Sequence, residues 1–262
     1  MHIDLKNKNA LVCGSTQGIG LATAQLLSQA GATITLVARN EERLKTALTK
    51  LDTDYNQSHD FICADFSNPE DLNQKVKVRL QSGAEFQILI NNTGGPPGGE
   101  ILTATLEQFE IAYTQHLKCN HLLVQSLVPG MIQSGYGRIV NVISTSVKQP
   151  IPGLGVSNTT RGAVASWAKT MANELGEHGI TVNNVLPGAT ETERLNSIIA
   201  SKAEKTGKPI HEVSKQMEAT IPMQRFGSPS EIASVILFLS SQLGSYVTGV
   251  NLPVDGGRTS AM

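Results

Sequence analysis

The sequence predicts an α/β fold, a single doubly wound domain built on a mainly parallel sheet of seven strands. Three observations predict it. Short apolar runs with strand character alternate with amphipathic helical runs, as in strands joined by crossover helices. A glycine-rich turn separates the first strand from the first helix, where sheets of this kind hold their ligands. The 262 residues are 40% hydrophobic and 16% charged, enough apolar material for one large core and too little charge for a disordered chain. One domain over residues 1–262 follows, with no repeat and no linker.

The elements follow in order. Residues 10–13, "ALVC", read as a short buried strand, and the helix after them shows Ile19, Ala22, Leu26 and Ala30 near one face. "TITLVA" at 33–38 is the second strand, and "NEERLKTALTKL" the next helix, with Asn40 as N-cap. "FICAD" and "FQILIN" are strands three and four, separated by a helix that carries Pro69 near its first position. A long helical stretch over 106–133 leads to the strand "GRIVNVIS". Then come the helix containing Trp167, the strand "ITVNNVLPG", a last helix at 230–240 and the strand "VNLPVD". Only the segment near 191–221 breaks the alternation. Gly207 and Pro209 stand between a pair of helical runs there, so it reads as a helical, lid-like insertion. The apolar row Val164, Trp167, Ala168, Met171 and Leu175 has helical spacing and suits either the core or a subunit interface.

Charge and cysteine content exclude several functions. The formal net charge is −1 with no basic block, which argues against a nucleic-acid partner. Cys13, Cys63 and Cys119 are scattered and lack metal-ligand spacing with histidine, so no metal site is expected. No apolar run approaches membrane-spanning length and the N-terminal residues show no signal-peptide core, so a cytoplasmic location without membrane attachment is expected.

"CGSTQGIG" places Gly14, Gly18 and Gly20 at the first strand-to-helix junction, with Ser15, Thr16, Gln17 and Ile19 between and beside them. Glycines there let backbone approach a pyrophosphate, whose charge the helix N-terminus favours. At the end of the second strand a carboxylate would accept from a ribose 2′-OH. Ala38 and Arg39 stand there instead, and a guanidinium can fork onto a 2′-phosphate. NADP(H) is therefore preferred over NAD(H).

The GxxxGxG spacing, Asn91, Asn92 and Gly94 in "NNTGG", "GRIVNVIS", "GITVNNVLPG", "RFGSPSEIASVILFLSS" and "SYVTGVNLPVDGG" together resemble the short-chain dehydrogenase/reductase family over nearly the whole chain, and its ketoacyl-reductase-like branch in particular. The resemblance implies a Rossmann-type domain, an oxidoreductase acting on a carbonyl/alcohol pair, and a homo-oligomer, dimer or tetramer. It also implies cofactor contacts from Asp65 and Phe66, from Asn92 and Gly94, and from Pro187, Gly188 and Thr192. The substrate is an unidentified small molecule.

Members of that family hold substrate with a serine, pass a proton from a tyrosine, tune it with a lysine and support a water with an asparagine. In this chain the serine position is Ser144, but the tyrosine position is Ser157, the lysine position Arg161 and the asparagine position His116. No tyrosine has a lysine four residues later. A serine is too weak an acid to replace the phenol, and Arg161 stays charged. Two residues are candidates for the missing donor. His116 has an imidazole that ordinarily titrates near neutral pH, and Lys148 lies in the loop after Ser144. Pro96, Pro97, Pro150 and Pro152 stiffen two loops at carboxyl ends of strands, as walls of a pre-formed pocket would. Three functions stay open: a reductase with an altered donor, an inactive nucleotide-binding relative serving as sensor or partner subunit, and a lyase or isomerase without net redox.

Overall fold

The computed structural model describes residues 3–261. Its seven strands, β1 (Asn9–Cys13), β2 (Thr33–Ala38), β3 (Asp60–Cys63), β4 (Ile88–Asn91), β5 (Gly137–Val142), β6 (Ile180–Pro187) and β7 (Asn251–Val254), form one sheet in the order β3-β2-β1-β4-β5-β6-β7. Every pairing is parallel, so the sheet is wholly rather than mainly parallel. Strand order reverses between β1 and β4, which opens a crevice at their carboxyl ends.

Both faces are covered, as parallel strands without polar alternation require. On one side lie α1 (Gly18–Gln29), α2 (Glu41–Leu48) and α9 (Pro229–Ser240), burying Ala24, Leu27, Leu44, Ile232 and Ile236. On the other lie α3 (Pro69–Gln81), α5 (Cys119–Ser134) and α6 (Gly155–Leu175), which bury Leu72, Val76, Leu123, Leu127 and Ala168. Asn40 and Asn68 cap α2 and α3, accepting from Arg43 N and Asp71 N, and Pro69 opens α3.

Two features depart from the sequence reading, and two more fill it in. The buried face of α1 is Gly20, Thr23, Ala24 and Leu27, rotated from the apolar row Ile19, Ala22, Leu26 and Ala30. Small residues let α1 approach the sheet and α9, and Thr23 donates its hydroxyl to Ile19 O, so polarity there costs nothing. Residues 106–133 are not one regular helix. α4 (Leu106–Tyr113) joins α5 through a π-helical turn, Thr114–Lys118, a local widening that often marks functional sites. The row on α6 faces inward: Val164, Ala168 and Leu175 are buried, with Trp167 and Met171 half-buried against them. The segment between β6 and α9 folds as α7 (Glu193–Thr206) and α8 (Ile210–Glu218), turned by Gly207 at φ +66°. These helices pack on a small cluster of their own, including Leu195, Ile199, Val213 and Phe226.

A polar row crosses the apolar sheet. Asn91, Asn141, Asn184 and Asn251 occupy paired positions on β4, β5, β6 and β7. Each side-chain amide donates to the next, at 2.8, 2.9 and 2.8 Å.

Candidate active site

The crevice between β1 and β4 holds two adjoining cavities, of about 540 and 580 Å³, that share Gly14, Gln17, Asn92, Thr93, Gly94 and Gly95. Their floor is the β1–α1 turn. Gly14 and Gly18 take φ of +57° and +53°, the left-handed region where glycine carries no steric penalty. A Cβ on Gly14 would stand 2.5 Å from Asn92 O, so the turn is pressed against β4. Asn92 seals the contact by donating from Nδ2 to Gly14 O at 3.1 Å and Cys13 O at 3.3 Å. α1 itself starts without a side-chain cap and with no acidic residue in its first turn. Its leading N–H groups are thus left for an anion.

Thr16, Gln17, Gly18 and Ile19 line the cavities, but two residues of the turn do not. Ser15 is fully buried and faces β2, its hydroxyl accepting from Val37 N at 3.1 Å. Gly20 is buried against Gly14 O and Asn92 Nδ2. Both shape the turn from behind the cavities.

The 580 Å³ cavity runs over the end of β2, where Arg39, Asn40, Arg43, Asp65 and Phe66 meet. Asp65 Oδ1 accepts from Ser67 N at 2.9 Å, and that bond, with Arg39 nearby, holds the carboxyl below its ordinary range. Arg43 was not legible as a site residue. It comes from the first turn of α2 and fixes its guanidinium by donating to Gln17 Oε1 at 2.9 Å. Its only sequence signal is its place one turn after Arg39.

The 540 Å³ cavity is bounded by Ser144, Ser157, Arg161, Pro187, Gly188 and Thr192, with Asn92 and Gly94 opposite. Ser144 stands two residues past the end of β5 and caps a 3-10 turn, its hydroxyl accepting from Ser146 N at 3.1 Å. Ser157 and Arg161 lie one turn apart on α6. Arg161 is 7% exposed and donates from Nη1 to Val142 O at 3.0 Å, while its Nε has no partner. Burial, and secondarily Arg194, pulls its pKa down to about 10, so it remains a cation at neutral pH. Thr192 caps α7 and touches the site of Gly18, where a Cβ would come within 3.1 Å of it. No tyrosine lines either cavity.

The two candidate donors fare differently from their sequence reading. His116, in the π-helical turn, is 1% exposed and lines neither cavity. It stands behind Thr93, whose Oγ1 is 2.6 Å from its Nδ1, and its Nε2 has no partner. Burial, reinforced by Arg161, drives its pKa from 6.5 to about 2, which removes it as a neutral-pH acid. Lys148 is half-buried and also lines neither cavity, because the 3-10 turn after Ser144 carries it away. Asn120, one turn beyond His116, is buried with Oδ1 unpartnered.

Known proteins resemble this arrangement from end to end. A family model described as "Enoyl-(Acyl carrier protein) reductase" matches residues 14–259. The 3-oxoacyl-[acyl-carrier-protein] reductase FabG of Aquifex aeolicus is 31% identical over 257 residues, covering 98% of this chain and 99% of its own. Dehydrogenase/reductase SDR family member 4 of Sus scrofa is 30% identical over 259 residues, covering 98% and 89%. Among solved structures, L-sorbose reductase of Gluconobacter frateurii, complexed with NADPH and L-sorbose, superposes with a TM-score of 0.93 at 29% identity over 100% of both chains. YwfH, an NADPH-dependent reductase involved in bacilysin biosynthesis, gives a TM-score of 0.90 at 25% identity, covering 97% and 99%.

Proposed function

The chain belongs to the short-chain dehydrogenase/reductase family of oxidoreductases, and from that membership we propose that it reduces the carbonyl group of a small molecule with NADPH. The observation that carries the reading is the continuity of one crevice. It joins the uncapped start of α1 and the Arg39/Arg43 pair at one end to Ser144, Ser157 and Arg161 at the other. The structural neighbours crystallised with or named for NADPH support the same cofactor.

The residues present fit a dinucleotide. The α1 N-terminus would receive the pyrophosphate, Arg39 and Arg43 the 2′-phosphate, and Asp65 with Phe66 would border the adenine. Asn92, Gly94, Pro187, Gly188 and Thr192 frame the nicotinamide end. Bound there, NADPH supplies the hydride for the carbonyl carbon.

The chain's own residues then handle the oxygen. Ser144 and Ser157 donate to it, and the Arg161 cation, in a largely dehydrated wall, stabilises the negative charge it develops. The proton comes from water through the serine hydroxyls, since Arg161 keeps its own and the neutral His116 imidazole is too weak an acid at neutral pH. His116 instead positions Thr93 in the cleft wall. In this reading α7 and α8 act as a lid, and the protein works as a homo-oligomer. The relatives and neighbours are named as reductases and dehydrogenases, and none favours an inactive nucleotide-binding protein.

The test is to titrate purified protein with NADPH and NADH by fluorescence, then follow nicotinamide absorbance across a carbonyl panel. NADPH is expected to bind about ten-fold tighter or better, with turnover of at least one compound. Tight NADPH binding without turnover anywhere in the panel would overturn the reductase reading.

A further inference from the structure

Two guanidiniums meet in the substrate half of the crevice, and no acid answers them. Arg161 reaches it from α6 and Arg194 from the first turn of α7, and both line the 540 Å³ cavity but not the one at the end of β2. They converge on one point: a methyl group placed on Gly95 would lie 3.8 Å from Arg194 Nη2 and 4.0 Å from Arg161 Nη2. Each is anchored through a backbone carbonyl, Arg161 to Val142 O at 3.0 Å and Arg194 to Pro96 O at 2.7 Å. Glu193 borders the same cavity, yet among the described residues neither arginine forms an ion pair with it or with any other carboxylate.

Such a pair is costly as it stands. Arg194 is exposed, so solvent weakens the repulsion between them, but Arg161, nine-tenths buried, has lost most of its hydration. Arg161 keeps an unpartnered Nε in that position. An anion entering between the two relieves both penalties and accepts the free N–H groups in forked geometry. The cofactor's 2′-phosphate is served at the other end by Arg39 and Arg43, so Arg194, beside the Arg161 that also faces the reacting oxygen, is left for the second reactant.

We propose that the substrate is a short oxo acid, a carbonyl compound whose carboxylate is held between Arg194 and Arg161 at Gly95. This rests on the reductase reading and narrows it. Hydride adds to the carbonyl carbon, water supplies the proton to its oxygen, and the product is the corresponding hydroxy acid with its carboxylate unchanged. The hydrophobic part of the molecule faces Ile143, Leu154 and Ile198 on the same cavity.

The experiment has two arms. Calorimetry with NADPH present measures malonate and succinate against their dimethyl esters, on wild-type protein and Arg194→Met. The diacid is expected to bind and the diester not, with affinity lost about ten-fold or more in R194M while NADPH affinity stays the same. Kinetics then compares pyruvate, acetoacetate and levulinate with their methyl esters. The acid is expected to be preferred through a lower KM, and that preference to fall about ten-fold or more in R194M. Equal binding of diacid and diester, or an acid preference untouched by R194M, overturns the proposal. Weaker NADPH binding in R194M overturns it too, by assigning the arginine to the cofactor. If the diacids bind as expected but nothing is reduced, the anion site stands and the reductase reading fails.

Discussion

In the proposed function Arg39 and Arg43 carry the division between NADPH and NADH. Replacing either with glutamine removes a charge-assisted contact to the 2′-phosphate, so Kd for NADPH should rise about ten-fold while that for NADH moves little. Fluorescence titration of R39Q and R43Q checks it, and equal losses for both dinucleotides would contradict it. His116 makes a second prediction. Its pKa is about 2 in the folded protein against an ordinary 6.5, so between those values the unfolded chain binds the extra proton. The stability this neutral imidazole allows is present above pH 6.5 and drains away below it, at about 1.4 kcal/mol per pH unit. His116→Asn should flatten that decline, seen as a smaller loss of urea midpoint between pH 7 and pH 5.5. An unchanged slope would show that His116 is not held neutral. Residue by residue, contiguous signals were readable from sequence: the glycine turn, Arg39, and the serine and arginine on α6. Thr93, Arg43 and Arg194 were not read as site residues, because each comes to the crevice from a different element. Nor was the fate of His116, since burial belongs to the neighbours and not to the residue.

At the scale of elements, boundaries depend on caps as much as on apolar periodicity. α9 begins with a reciprocal capping box: Ser228 Oγ accepts from Glu231 N at 3.3 Å and Glu231 Oε2 accepts from Ser228 N at 2.8 Å. Ser228→Ala should cost about 1 kcal/mol, measured as a shift in urea midpoint with an unchanged slope. A shift near zero would mean that packing on α1 alone holds the helix start. The same pairing explains one misreading. α1 presents small residues to α9 and the sheet, so its apolar row marks the wrong face, and only the partner helix reveals the right one. The π-helical turn was equally invisible, for a single added residue leaves no mark on hydrophobic spacing. Ala112, His116 and Asn120, four apart, lie before, within and after that turn, and all three are buried.

Across the whole molecule, the alternation of strands and helices was legible because every crossover must cover a face of the sheet, and that demand writes itself along the chain. Strand order and the contents of the crevice were not, since they arise between distant segments. The asparagine row tests the sheet as a unit. Asn141 is fully buried and bonded on both sides, so Asn141→Ala strands a donor on Asn91 and an acceptor on Asn184 at once. A loss of about 3 kcal/mol is expected by equilibrium denaturation, and a loss under about 1 kcal/mol would mean that water replaces the missing amide. The row also works as a check digit. Sliding β5 or β7 by a single residue would turn its asparagine to the opposite face and leave its neighbours' amides stranded in apolar surroundings. A segment transplanted from another protein into β5 or β6 must therefore bring its own amide at that position, or the sheet will register the transplant as an error.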